Sequence, residues 1–117
     1  MQHDPRAYLW DVREAAIAIQ SFVAGLDAND YANTPLVYSA VERKFEIIGE
    51  ALSKFAKLDA ALAERLTQLP QIVAFRNQII HGYATVKHGT VWNVIHDALP
   101  TLLANVQVLL LELDGRT

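Results

Sequence analysis

The chain has 117 residues, 52% of them hydrophobic, enough for one domain with its own core and too few for two. Its formal net charge of -3 argues against a nonspecific nucleic-acid coat, which rests on many lysine and arginine contacts to phosphate, so any nucleic acid would have to meet a local basic surface. The absence of cysteine excludes a disulfide framework or thiolate metal site, and with neither a leader-like start nor an apolar run near the roughly 18 residues of a membrane span, the expectation is a soluble, cytoplasmic protein.

Asp4-Pro5 reads as a helix start, a side-chain acceptor at the cap followed by a proline whose missing N–H costs nothing there. From it Tyr8, Val12, Ala15, Ala16, Ile19, Phe22, Val23 and Leu26 recur every three or four residues, the apolar stripe of a long helix. Gly25 and the run from Asp27 to Asp30 weaken it, which predicts a loop or short turn. Thr34-Pro35 repeats the start signal, and Val37, Val41, Phe45, Ile48, Leu52 and Phe55 mark the buried side of a second long helix, with Glu42, Glu46, Glu50, Lys54 and Lys57 mostly outside. Gly49 within it costs roughly 1 kcal/mol relative to alanine, which points to close packing or a bend. Asp59 can cap a short third helix through Leu66, and Pro70 opens a fourth that Gly82 ends. A fifth begins near Gly89-Thr90 and carries Trp92, Ile95, Leu99, Leu102, Leu103, Val106, Leu109, Leu110 and Leu113; Pro100 should kink or break it, having no N–H for the carbonyl of His96. With no strand-like alternation or internal repeat, the expected fold is an all-α antiparallel bundle of four main helices plus a short one, a single domain over 1–117. The stripes on the first and last helices are long for so small a chain, so one side could remain for a partner, although core packing explains them more simply.

The segment from Pro70 to His81 behaves differently. On an ideal helix Ile72, Val73, Phe75, Ile79 and Ile80 share one broad arc, and Arg76 falls near its middle. A guanidinium facing apolar surroundings calls for a carboxylate, a phosphate or an opening in the packing. Asn77 and His81 are i, i+4 neighbours on another face. Arg76 and His81 stand roughly 140° apart around an ideal helix, so a bent helix end or a second copy is needed to bring them together. Taken singly, Arg76 also fits a structural ion pair with Glu42, Glu46 or Glu50, and His81 fits a helix C-terminal residue meeting the dipole.

The pattern Arg-x-x-x-x-His-x-Tyr, read here as Arg76, His81 and Tyr83 with polar Asn77 directly after the arginine, resembles the motif of the HepT-like branch of the HEPN superfamily. The stretch from Ala40 to Ala51 resembles that branch's second helix, and Val91-Trp92-Asn93-Val94-Ile95 with Leu99-Pro100-Thr101-Leu102 resembles its last, so the likeness covers roughly the whole chain. It implies a metal-independent endoribonuclease toxin of a two-gene toxin–antitoxin module, dimerising around the motif, with Arg76 and His81 catalytic, Asn77 supporting, and no cofactor or metal. The implied partners are an RNA substrate, a second copy of the chain, and a small nucleotidyltransferase antitoxin that attaches AMP to Tyr83; no membrane is implied.

The residue types suit such chemistry. Attack of an RNA 2′-hydroxyl on the neighbouring phosphate needs a proton removed, a proton delivered to the leaving 5′ oxygen, and added negative charge stabilised. Histidine titrates near neutrality and arginine stays charged, so His81 fits acid or base and Arg76 fits the charge. Tyr83 equally fits a half-buried phenol packing over Trp92 or holding the loop. The four histidines lack zincin spacing, and no Gly-rich phosphate loop is present. Two other classes stay open: a noncatalytic nucleotide-binding or regulatory subunit paired with a nucleotidyltransferase, in which Arg76 only holds a phosphate, and a helical adaptor, which leaves Arg76 unexplained.

Overall fold

A computed structural model describes residues 4–82 and 86–115. Asp4 starts helix α1 (Pro5–Val23) as its sequence suggests, accepting from the backbone N–H of Arg6 at 2.9 Å. The stripe it buries is Leu9, Val12, Ala15, Ala16, Ile19 and Val23, so Leu9 takes the place expected of Tyr8, and Phe22 stays exposed.

The acidic run after α1 is more than a turn. Asp27 and Asp30 form a reciprocal cap, the Asp30 N–H donating to Asp27 Oδ1 at 2.7 Å and the Asp27 N–H to Asp30 Oδ2 at 3.2 Å, which starts the short α2 (Ala28–Ala32). Thr34 does not cap the next helix with its side chain; its hydroxyl donates to the carbonyl of Asp30 at 2.7 Å, and Pro35 opens α3 (Pro35–Leu58). Val41, Phe45, Ile48, Leu52 and Phe55 are fully buried on α3, as their spacing predicts. Asp59 accepts from the Leu62 N–H at 3.0 Å and caps α4 (Ala60–Ala63), shorter than the segment to Leu66 suggested.

α5 (Leu69–His81) carries Pro70 in its first turn. The expected fifth helix is two helices, α6 (His88–Asp97) and α7 (Leu99–Asp114), which meet at a 41° bend. The cause is Pro100: placed in the first turn of α7 it needs no N–H partner, so the chain stops one helix at Ala98 and starts another.

α3 is the central helix, with α1 packed along one side and α5 along the other. α7 lies against α1, antiparallel to it, as the Arg6–Asp114 ion pair at 3.3 Å between the start of one and the end of the other requires. α6 bridges α7 and α2. One cluster of buried side chains runs through the described helices, and no strand occurs among the described residues. The outer stripe of α1 and α7 is uncovered, leaving Trp10, Ile17, Phe22, Val108 and Leu111 exposed. Among the described residues no single helix is long and apolar enough to cross a membrane.

Candidate functional site

α5 runs antiparallel to α3: its first residues, Leu69 and Pro70, share a cleft with Ala56 near the end of α3, while Arg76 reaches back to Gly49. Ile72, Phe75 and Ile79 are buried, and the Phe75 ring meets Phe45 edge to face at 5.1 Å, which locks the rotation of α5 about its own axis. That rotation sets the site. It turns Asn77, Gln78 and His81 to solvent and presses the stem of Arg76 against α3.

Gly49 gives Arg76 its room. A Cβ at position 49 would fall inside the Cβ and Cγ of Arg76 and lie 3.0 Å from its Cδ. Of the two roles its sequence position suggests, close packing is the one observed. The carboxylates that could have neutralised Arg76 are engaged elsewhere or apart from it: Glu46 pairs with Arg43 at 3.1 Å and Glu50 with Lys54 at 3.2 Å, and Arg76 joins no ion pair among the described residues. Its Nη1 donates to Asn77 Oδ1 at 3.1 Å, while its Nε has no exposed surface and no acceptor. The end of the guanidinium beyond the buried Nε has the chemistry to receive an anion.

His81 is the last residue of α5 and is exposed. The helix remains regular to that point, the Gly82 N–H donating to the Gln78 carbonyl at 2.8 Å, so no bend before His81 turns it toward Arg76. Gly82 ends the helix as expected, at a φ of −132° that any residue can adopt. Asn77 and His81 share one face as i, i+4 neighbours, both are exposed, and Asn77 links that face to Arg76. Tyr83 lies outside the described residues. At the end of α5 an open cleft of about 460 Å³ is lined by Gln78, Gly82, Val86, Lys87 and Thr90, and Lys87 puts a basic side chain there.

One neighbouring cluster was hidden in the sequence because it joins three helices. Tyr38, Glu42, Phe45 and Gly49 follow one another at helical spacing along α3, and where α5 ends the first residue of α6 takes over as their neighbour. The His88 ring stacks on Tyr38 at 4.1 Å and 28°, with Tyr31 edge-on to it at 6.0 Å. Neither the buried Tyr31 hydroxyl nor His88 Nδ1 has a partner. Burial raises the Glu42 carboxyl above its usual range, the nearby His88 opposes this, and Glu46 adds to it. Burial, with Glu42 close by, likewise raises the Tyr31 phenol.

Several proteins are similar along nearly their whole lengths. A candidate RNase of Methanocaldococcus jannaschii is 29% identical over 109 residues, covering 92% of this chain and 97% of its own. A candidate RNase of Caldanaerobacter subterraneus subsp. tengcongensis is 29% identical over 108 residues, 91% of this chain and 94% of its own. A Thermococcus cleftensis protein named as a probable ribonuclease HepT is 27% identical over 106 residues, 87% of this chain and 92% of its own. No solved structure matches significantly. The model of the family described as Ribonuclease HepT-like matches residues 12–109, spanning α5 and most of the other helices, and the chain belongs to that HepT-like family.

Proposed function

We propose that the chain is a metal-independent endoribonuclease toxin of a HEPN/nucleotidyltransferase toxin–antitoxin module. The observation that carries this reading is the unpaired, half-buried guanidinium of Arg76 on the helix that ends in His81. Family membership and the RNase names of the relatives support it. In the reaction the substrate 2′-oxygen bonds to phosphorus as the bond to the 5′ oxygen breaks. His81 takes the 2′-hydroxyl proton or protonates the leaving oxygen, Arg76 carries the negative charge that builds on the phosphoryl oxygens, and Asn77 steadies Arg76 through its hydrogen bond.

A homodimer completes the site in this reading. Each chain brings one motif histidine, held on a different side of α5 from Arg76, and the exposed Asn77–His81 face of α5 is open for a second copy. Two chains related by a twofold axis there would supply two His81 side chains, one as base and one as acid. Tyr83, two residues past the last residue of α5 in sequence, is the proposed point of control. Attack of its phenol on the α-phosphate of ATP, catalysed by the antitoxin, releases pyrophosphate and leaves AMP, whose charge repels RNA at the site.

The test is product chemistry. Purified protein without a partner should cut RNA in the presence of a chelator and leave 2′,3′-cyclic phosphate ends. A folded protein that cuts nothing would favour the noncatalytic phosphate-holding subunit, a reading the net charge of -3 also suits.

A further inference from the structure

We infer that Gly49 is a positioning residue for Arg76, the missing side chain at 49 being what fixes the guanidinium in the site; its effect on cleavage rests on the ribonuclease reading above. Gly49 is buried in the interior of α3, where glycine is a poor helix former and alanine would ordinarily be better. It stands against that preference at the place where Arg76 crosses. The atoms that a Cβ would meet there are Cβ, Cγ and Cδ, the near end of the arginine side chain. Rotating the far end cannot relieve the conflict, because Cβ moves only with the α5 backbone. Any side chain at 49 must therefore shift α5 relative to α3, against the Phe45–Phe75 contact that sets its rotation.

The notch also explains why Arg76 is unpaired. Because its stem lies flat on α3, Nε is buried at the helix contact, out of reach of an acceptor, and Glu46 and Glu50 keep their own partners one turn to either side. A cation held by its stem and left without a counter-ion needs no rearrangement to receive a phosphate. Displacement of the stem by the width of a methyl group degrades that placement without removing the charge. Misplacement on the 1 Å scale costs about 100-fold in rate.

The experiment compares Gly49→Ala in the full chain with and without Arg76→Gly. Gly49→Ala alone should lower the urea midpoint and cut kcat for RNA about 100-fold with KM changed less than about threefold. In the Arg76→Gly background the same substitution should leave the midpoint unchanged or raise it, since nothing opposes the added methyl and alanine favours the helix. If Gly49→Ala fails to fold, Arg76→Gly should restore folding. Equal midpoint shifts in both backgrounds, failure of that restoration, or wild-type cleavage by folded Gly49→Ala would overturn the inference. A wild-type protein that does not cleave RNA removes the ribonuclease reading instead, and the paired midpoints still report whether Gly49 makes room for Arg76.

Discussion

Gly49 and Arg76 meet where α3 and α5 cross, and the contact holds the arginine stem while leaving Nε without an acceptor. That combination is unfavourable for folding. A buried donor with no partner keeps its desolvation cost and gains no bond.

The first prediction follows from that cost. Arg76→Met keeps a stem of similar length in the Gly49 notch and removes both the charge and the orphan donor. Stability should rise by about 1 kcal/mol, measured by urea unfolding, while RNA cleavage is lost. A variant less stable than wild type would show that Arg76 has a favourable partner after all.

How much of this was legible beforehand differs by residue. Asp4, Asp59, Pro35 and Pro70 announced their helices because caps and first-turn prolines act within three or four residues. Arg76 was visible as a break in an apolar arc, and the glycine opposite it as a cost needing a reason. That the two explain each other was not visible, since the contact joins residues far apart in sequence. The ion-pair alternative failed for a related reason: Glu46 and Glu50 found partners one turn away on their own helix, Arg43 and Lys54. The short α2 was missed because its cap uses aspartate where glutamate or glutamine is usual at the third helical position.

Glu42 gives a pH-dependent prediction. Burial raises its carboxyl above the ordinary 4.5, against the opposing pull of His88 and together with the repulsion of Glu46. The folded state therefore prefers the neutral acid, so Glu42's contribution to stability is fully present below pH 4.5 and lost as pH rises through its folded value. Glu42→Gln should raise the urea midpoint at pH 7, with the advantage disappearing below about pH 4. A midpoint lowered at pH 7 would mean that the charged carboxylate is favourably paired, with His88 the obvious partner.

The dimer proposal predicts that a mutant chain poisons a wild-type one. When wild-type protein is mixed with excess His81→Ala chains and allowed to exchange, cleavage per wild-type chain should fall at least about 10-fold, because the mixed dimer holds one His81 where the reaction uses two, one as base and one as acid. Activity per chain should also fall on dilution below the dimer dissociation constant. A monomer by sedimentation that cleaves at full rate contradicts it.

For Tyr83, incubation with the cognate nucleotidyltransferase and ATP should add AMP at that residue by mass spectrometry and suppress cleavage. Tyr83→Phe should remain unmodified and escape suppression. Modification elsewhere with the same loss of activity would move the control point.

The most direct measurement of the central claim is RNA cleavage in chelator by wild type, Arg76→Ala and His81→Ala, each verified as folded by helical circular dichroism. His81 is exposed at a helix end, so its loss should change stability by less than about 1 kcal/mol. The expected result is cleavage by the wild type and a loss of about 100-fold or more in each variant. Undiminished cleavage by both folded variants would contradict the account.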